Sequence, residues 1–320
     1  MKITFLITTF NHVNFIEKCL QSIEDQTRHV DQLIIADDCS QDGTQEKILK
    51  FIETSKIKEI AFINRQKNIG LIENLNDAIR KINGDYIFTG AGDDYSANNR
   101  VETSLRYFNL NKKISVIYSS YKIINTFDQV NGQIIRSGFY NDPMLLIKKG
   151  AGLAPFGSVF KSPFLQSLSL TERELGNEDD FICMASVLNG GLLVVPDILY
   201  FYRVHIHSVS GWNLLESNSI KYIKKFIENQ KYRKSNYNAW KALIESTDIQ
   251  NKLIMIERIG QRIEIANIYE NINKKISILN KISMIIKYRY TLNKVDLFII
   301  LFGINSIFFI RYLQKLRLKI

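Results

Sequence analysis

Short apolar runs alternate with amphipathic segments of helix length through residues 3–118, and this alternation restricts the fold more than any other feature of the chain. The apolar runs are continuous, which is typical of strands buried on both faces. Such strands, when they alternate with helices, predict an α/β domain with a mostly parallel sheet and helices on both faces. The predicted strands are Ile3–Thr8, Leu33–Asp37, Glu59–Ile63, Asp85–Thr89 and Ser115–Tyr118, and the predicted helices are 14–26, with Asn14 as its cap, 44–55 and 71–82.

The net charge of +10 is distributed unevenly along the 320 residues. Residues 221–320 hold 20 Lys and Arg against 7 Asp and Glu, whereas residues 1–220 hold 22 against 25. A basic balance suggests nucleic acid or an anionic membrane as partner. Here the positive charge lies among apolar helices and not on an aromatic-studded groove, so we expect no nucleic acid. The sequence predicts two domains, 1–213 and 214–320, of which the first is globular and nearly neutral.

The second predicted domain is helical, basic and rich in apolar residues. Residues 272–290 set isoleucines against lysines, and residues 297–310 are fourteen uncharged residues followed by a basic tail, 311–320. Fourteen residues are fewer than the roughly 20 that span a bilayer. The pattern predicts a segment that lies in the interface of an anionic membrane. The alternative is an ordinary helical subdomain whose apolar side packs on the core.

Three cysteines, Cys19, Cys39 and Cys183, are too few and too scattered for a disulfide framework or a zinc cluster. The first residues hold one lysine and a short apolar run that polar residues follow at once, which indicates a buried strand and not a signal peptide. We therefore expect a reduced, cytoplasmic protein.

Acidic residues follow the second predicted strand. Parallel sheets bind ligands outside the carboxyl ends of their strands, and Asp37 and Asp38 stand at such an end. A carboxylate there can accept a hydrogen bond from the imide N–H of a uracil or thymine ring. The alternative is a turn in which Asp42-Gly43-Thr44 begins the next helix.

Two adjacent acids, Asp93 and Asp94, follow the fourth predicted strand and the small residues 90–92. Neighbouring carboxylates repel each other unless a cation or hydrogen-bond donors offset their charge. Mg²⁺ and Mn²⁺ bind such oxygens together with substrate phosphates, and small residues let a phosphate approach the backbone. The alternative is a solvated turn.

Two further segments carry chemistry. Acids at 178–180 open an apolar helical run, where one of them could act as a general base or where the helix dipole could simply favour them. Arg203, His205 and His207 could neutralise a diphosphate or ligate a metal, and the alternative is an ordinary edge strand.

Taken in order, these segments strongly resemble the family 2 glycosyltransferases of the GT-A fold, over residues 1 to about 210. The resemblance implies a nucleotide-sugar donor, a divalent cation (Mg²⁺ or Mn²⁺) and transfer with inversion. The segments that carry it are ITTFNHVNFIEKCLQSIEDQT, IIADDCSQDGT, NIGLIENLNDAIRKINGDYIFTGAGDDY, GNEDD and YRVHIHSVS.

The resemblance also implies roles for individual residues. Thr8 and Phe10 flank the nucleoside, Asp38 reads the base, Asn68, Gly70 and Asn74 lie near the donor, Asp93 binds ribose or metal, Asp94 binds metal, His205 faces the metal or the diphosphate, and Asp179 is the catalytic base. Many members have an aspartate where this chain has Ala91, so the choice of metal ligand between Asp93 and Asp94 stays open.

Other classes fit less well. A dinucleotide-dependent oxidoreductase would carry G-x-G-x-x-G after the first strand, where this chain has TTFNH. A sugar nucleotidyltransferase would have a loop rich in glycine and basic residues there. A non-catalytic scaffold for glycan assembly stays open because of Ala91. The acid that reads the base suggests a UDP-sugar donor.

Membrane association and relatives that build surface polysaccharide suggest a polyprenyl-linked acceptor in O-antigen or capsule assembly, at the inner face of the cell membrane.

Overall fold

The computed structural model describes residues 1–153, 157–168, 170, 175, 177–205, 219–271 and 278–303. The chain forms two compact units. The first comprises Met1–Asn141, Pro155–Arg173 and Asn189–Val204, and the second comprises Asp142–Ala154, Glu174–Leu188 and His205–Ile320. The domain boundary expected between residues 213 and 214 falls outside the described residues and stays a prediction.

Ten strands and eleven helices are described. The strands are β1 Ile3–Thr9, β2 Gln32–Asp37, β3 Glu59–Asn64, β4 Tyr86–Ala91, β5 Tyr95–Ser96, β6 Val116–Ile124, β7 Val130–Ile134, β8 Gly138–Tyr140, β9 Val159–Lys161 and β10 Leu192–Arg203. The helices are α1 Ile16–Glu24, α2 Thr44–Thr54, α3 Leu71–Ile79, α4 Arg100–Leu110, α5 Pro143–Lys149, α6 Ser162–Gln166, α7 Glu178–Leu188, α8 Ser219–Glu245, α9 Lys252–Glu270, α10 Ile278–Tyr288 and α11 Lys294–Phe302. Every strand and helix that the sequence predicts over residues 3–118 is confirmed, with ends shifted by a few residues.

All ten strands form one mixed sheet in the order β3-β2-β1-β4-β9-β6-β10-β5, with β7 beside β6 and β8 beside β10. The strands β3, β2, β1 and β4 are parallel, as are β6 and β10, and the other pairs are antiparallel. Thr8 of β1 lies opposite Ala36 of β2 and Ala91 of β4. The residues that follow these three strands therefore emerge at one edge of the sheet.

The core of the first unit lies between this parallel half and its helices. Phe5 of β1 stacks on Phe88 of β4 with ring centroids 5.1 Å apart. Helix α1 buries its apolar face, and each such side chain contributes about 1.5–3 kcal/mol. The predicted Asn14 cap is wrong, because the N-cap residue of α1 is Phe15. The N–H groups of Phe15 and Ile16 donate to the His12 carbonyl, so Asn14 lies inside that turn.

One cation, Arg100 at the start of α4, is fully buried in this core (0% exposed). Its guanidinium donates to the Ser96 hydroxyl and to the carbonyls of Thr89 and Ser158 at 2.8–2.9 Å. It also lies 5.1 Å from the Tyr200 ring. Burial lowers the pKa of Arg100 to about 10, so the group stays charged at neutral pH.

The second unit contains the described helices of the C-terminal region. Within the described residues, each helix is either too short or too polar to cross a bilayer. Residues 304–310 of the uncharged run, residues 272–277 and the basic tail at 311–320 lie outside the described residues.

Replacing the buried cation should destabilise the first unit. We expect Arg100→Met to lower the free energy of unfolding by at least about 3 kcal/mol, because it leaves buried carbonyls without donors and removes one of the two positive charges near Asp94. Arg106→Met, on the exposed side of the same helix, should change it by less than about 1 kcal/mol. Urea denaturation measures the free energy of unfolding of both variants. Equal losses in the two variants would contradict a stabilising role for the buried Arg100.

Candidate functional site

The loops that follow β1 and β2 are tied to each other. Asn11 adopts a left-handed conformation (φ 55°), its N–H donates to the Ser40 hydroxyl, and its side-chain oxygen accepts from the Gln41 N–H. Phe10, one residue earlier, is 43% exposed. The loop therefore presents an aromatic ring at the edge where β1 and β2 end.

The two acids after β2 have different partners. Asp37 is fully buried, and its carboxylate accepts from the N–H and hydroxyl of Ser40 and from Gln45. Asp38 holds a different loop: one oxygen accepts from the Ile69 N–H at 2.8 Å and the other from the Gly70 N–H at 2.9 Å. Asp37 therefore shapes its own turn, whereas Asp38 joins the ends of β2 and β3.

Asn68 and Gly70, which are predicted to lie near the nucleotide-sugar donor, thus lie beside Asp38. The Asn68 side chain also accepts from the Gly70 N–H. Asn74, at the start of α3, is buried, donates to the Ala36 carbonyl at 2.8 Å and accepts from Arg65 Nε. Its carboxamide pins β2 to α3, and the predicted contacts of these residues with a donor stay predictions.

Gly92 lets the turn after β4 pack closely on β1. Its N–H donates to the Thr8 carbonyl at 2.9 Å. A β-carbon at this position would lie 2.5 Å from Thr9 Oγ1 and 3.0 Å from His12 Nδ1. Only glycine therefore fits here without displacing the end of β1.

This turn places Asp93 and Asp94 in buried positions at the same edge. The Asp93 carboxylate lies 3.8 Å from His12 Nε2. The sequence alone did not lead us to predict a role for His12, although a histidine three residues after the end of a strand could have indicated a site residue. The structure thus places the imidazole ring beside one of the two predicted acids.

Asp94 is enclosed more tightly than Asp93. It accepts a hydrogen bond from the backbone N–H of Arg203 at 2.7 Å and another from the Tyr200 hydroxyl. Burial, followed by the nearby charge of Asp93, raises its pKa well above the ordinary carboxyl value. Two donors and the cations Arg203 and Arg100 offset part of this cost.

The Arg203 guanidinium donates hydrogen bonds to three protein groups and so holds the turn that contains Asp93 and Asp94. Its Nε donates to the Asp93 carbonyl, its Nη1 to the Asn125 carbonyl, and its Nη2 to the Asp128 carboxylate, all at 2.6–2.7 Å. The guanidinium also lies 4.6 Å from the Phe15 ring. These partners occupy the Arg203 guanidinium, and its predicted role in neutralising a diphosphate stays a prediction. The edge-strand alternative is wrong, since β10 lies between β6 and β5.

His205 comes two residues after Arg203 and is buried. The chain between them is fixed, because the Val204 N–H donates to the Ile124 carbonyl at 2.9 Å. Consecutive Cα atoms are about 3.8 Å apart, so the Cα of His205 lies within about 8 Å of the Cα of Arg203. His207 lies outside the described residues.

The third acidic segment starts α7, in the second unit. The Asn177 side chain accepts from the Asp180 N–H at 3.0 Å, and the Asp180 carboxylate accepts from the Gly152 N–H at 2.6 Å. Among the described residues, none donates a hydrogen bond to the carboxylate of Asp179. Burial raises the pKa of Asp179 well above its ordinary value, and the charges of Glu178 and Asp180 raise it further. Asp179 is thus the acid of this segment best suited to accept a proton.

The sequence profile of the family described as Glycosyl transferase family 2 matches residues 4–166, which is half of the chain. The chain belongs to this family. It is 24% identical over 224 residues to the glycosyltransferase GlyA of Streptococcus pneumoniae, a match that covers 65% of this chain and 31% of GlyA. The chain therefore corresponds to about a third of that relative.

Two solved structures share the fold. TarS 1–349 of S. aureus, in complex with UDP-GlcNAc, has a TM-score of 0.63 at 14% identity, covering 99% of this chain and 92% of that one. The mannosyltransferase PcManGT of Pyrobaculum calidifontis, in complex with GDP-Man and Mn²⁺, has a TM-score of 0.57 at 13% identity, covering 98% and 88%. These likenesses confirm the expected GT-A type of α/β fold, with a mixed sheet, helices and a helical C-terminal region.

Gly92→Ala should displace the acidic turn. We expect it to lower the free energy of unfolding by about 1–3 kcal/mol, because the added carbon overlaps Thr9. Gly260→Ala, in α9 where a β-carbon meets open space, should be neutral or stabilising by up to about 1 kcal/mol. Thermal unfolding compares the two, and a Gly92→Ala variant as stable as the wild type would refute this packing.

Proposed function

We propose that this protein transfers a sugar from a nucleoside-diphosphate sugar, with UDP as the preferred nucleotide, to a glycan hydroxyl with inversion at the anomeric carbon. The observation that carries this proposal is the pair of adjacent buried carboxylates, Asp93 and Asp94, at the edge where β1, β2 and β4 end. Open α/β sheets bind their ligands outside the carboxyl ends of their strands, and the two carboxylates lie at such an edge.

The chemistry of this edge fits a divalent cation. Asp93, Asp94 and His205 would hold it, since hard divalent ions bind carboxylate oxygens and imidazole completes such a set. Burial, followed by the charge of Asp93, raises the pKa of Asp94, and a cation bound beside the two carboxylates would offset both effects. When bound, Mg²⁺ or Mn²⁺ neutralises the charge that develops on the departing diphosphate.

The loops after β1, β2 and β3 would hold the nucleoside. In this proposal the exposed ring of Phe10 and the nearby Thr8 flank the base, and Asp38 reads it. Asp38 would also keep Asn68 and Gly70 in place through its bonds to the Ile69 and Gly70 N–H groups.

Asp179 is proposed as the catalytic base. Its carboxylate takes the proton of the acceptor hydroxyl while that oxygen bonds to the anomeric carbon. The bond from this carbon to the diphosphate oxygen breaks on the opposite face, and the nucleoside diphosphate leaves with the electron pair. Base catalysis of this kind contributes about 10²–10⁴ in rate.

We propose a lipid-linked acceptor and peripheral binding to the inner face of the cell membrane, as in the assembly of surface polysaccharide. Ile282 and Ile286 lie one turn apart on α10 and are both exposed, the latter by 58%. Lys281, Lys287 and Arg289 lie in or just after the same helix. Exposed apolar residues next to basic ones suit an anionic membrane surface.

The non-catalytic scaffold and the sugar nucleotidyltransferase remain as alternative classes. Hydrolysis of a UDP-sugar to UDP and free sugar by the purified protein with Mn²⁺ would support the transferase. A nucleotidyltransferase would instead form UDP-sugar from UTP and a sugar phosphate, and a scaffold would do neither.

In the absence of metal, Asp94→Asn should raise the Tm of the protein. The variant should also lose the rise in Tm that added metal causes in the wild type. The neutral amide avoids the cost of burying a charge and relieves the repulsion with Asp93 in the folded state. We therefore expect Tm to rise by a few degrees at neutral pH, at about 2–4 °C per kcal/mol of added stability. Adding Mn²⁺ should raise the Tm of the wild type and leave that of the variant unchanged. Asp85→Asn, an exposed acid at the other end of β4, is the control and should respond as the wild type does. A full Mn²⁺ response in Asp94→Asn would count against the site.

Asp179→Asn should lower the turnover number for UDP-sugar hydrolysis by about 10²–10⁴ while UDP binding persists. The pKa of Asp179 is raised above the ordinary aspartate value of about 3.9. As the pH falls, protonation of Asp179 should therefore begin to lower the wild-type rate at a higher pH than an ordinary aspartate would. Asp248→Asn, an exposed acid of the same unit, is the matched control. Unchanged turnover in Asp179→Asn would refute its role as the base.

Replacing Ile282 and Ile286 with serine should weaken binding to phosphatidylglycerol vesicles at least tenfold, since burying each such side chain is worth about 1.5–3 kcal/mol. Leu110→Ser, an exposed apolar residue of α4, should leave binding unchanged. Vesicle cosedimentation measures this, and wild-type protein that stays in the supernatant would end the membrane proposal.

A further inference from the structure

Helix α8 of the C-terminal region is bonded to the residues just before α7. Asn236 is buried, its side-chain amide donates to the Asn177 oxygen at 3.0 Å, and its own oxygen accepts from the Asn177 N–H at 3.3 Å. The same Asn177 oxygen accepts from the Asp180 N–H. Asn236 thereby orients the side chain that caps α7.

Trp240 lies one turn further along α8 and is fully buried. Its indole N–H donates to the Asp180 carbonyl at 2.9 Å. The Tyr237 ring meets the indole edge-on at 5.6 Å, and its hydroxyl donates to the Gly150 carbonyl. The indole is therefore held in place itself and fixes the first turn of α7.

These contacts fix the backbone on both sides of Asp179. Asn177 is held by Asn236, and Asp180 is held by Trp240 through its carbonyl and by the Gly152 N–H through its carboxylate. Gly152 has no room for a side chain, because a β-carbon would lie 2.7 Å from that carboxylate. Asp179 lies between two anchored residues, with a carboxylate that accepts no hydrogen bond from the described residues.

We propose that Asn236 and Trp240 are positioning residues for sugar transfer: they hold the first turn of α7 so that the Asp179 carboxylate keeps the orientation needed to take a proton. This inference rests on the proposed function, in which Asp179 is the base. A displacement of about 1 Å at a reacting group costs up to about 10²-fold in rate. Helix α8, which lies outside the segments that resemble the family, would then supply two positioning residues.

The test compares Asn236→Ala and Trp240→Phe with Asn238→Ala, an exposed asparagine on the same helix. The assay follows UDP release with Mn²⁺ from the UDP-sugar that the wild type hydrolyses fastest. We expect the first two variants to lose about ten- to hundredfold in kcat with KM changed by less than about twofold, and Asn238→Ala to match the wild type. Trp240→Phe keeps an aromatic ring, so it decides the question if Asn236→Ala does not fold.

A double-mutant cycle separates positioning from general destabilisation. If Asn236 acts through Asp179, Asn236→Ala should lower the residual kcat of Asp179→Asn by less than about twofold. A further tenfold loss in that background would overturn the proposal and indicate a purely structural role. Wild-type kcat in both Asn236→Ala and Trp240→Phe, with Asp179→Asn inactive, would also overturn it while leaving the proposed function intact. Full activity of Asp179→Asn, or no hydrolysis of any UDP-sugar by the wild type, would overturn the proposed function itself.

Discussion

The burial of two adjacent carboxylates, Asp93 and Asp94, is the constraint on which the candidate site depends. Two adjacent carboxylates that are both buried raise each other's energy, and the fold offsets this only in part. The Arg203 backbone and the Tyr200 hydroxyl donate to Asp94, and the buried Arg100 places a positive charge nearby. A fold that retains such a pair at the edge of its sheet is suited to a cation and to the phosphates that accompany it.

The surrounding structure keeps this pair in place from several directions. Gly92 lets the acidic turn pack on the end of β1, and the Arg203 guanidinium joins the same turn to Asn125 and to Asp128. Asp38, which follows β2, accepts hydrogen bonds from the loop after β3 and so joins the ends of these two strands. The candidate site is therefore assembled at the ends of six strands, β1, β2, β3, β4, β6 and β10.

Much of this could be predicted from the sequence, because strand and helix periods are local and the acids stand directly at predicted strand ends. The parallel half of the sheet and the positions of Asp38, Asp93 and Asp94 after strand ends follow from such local signals. The role of Arg203 could not be predicted, since its partners at 93, 125 and 128 are brought to it only by the sheet order. The hydrogen bonds between Asn177 and Asn236, which are 59 residues apart, likewise depend on the packing of two helices. The spacing of apolar residues within each helix does not predict which helices pack together. The misplaced cap at Asn14 shows the same limit on a small scale, because the His12 carbonyl already satisfies the first N–H groups of α1.

Crystals grown with Mn²⁺ and UDP, with diffraction data collected at the manganese absorption edge, would test whether Asp93 and Asp94 bind a cation beside the diphosphate. We expect one anomalous peak about 2 Å from a carboxylate oxygen of Asp93 or Asp94, with diphosphate oxygens on its other side. UDP bound elsewhere, or a manganese peak remote from both carboxylates, would contradict this expectation.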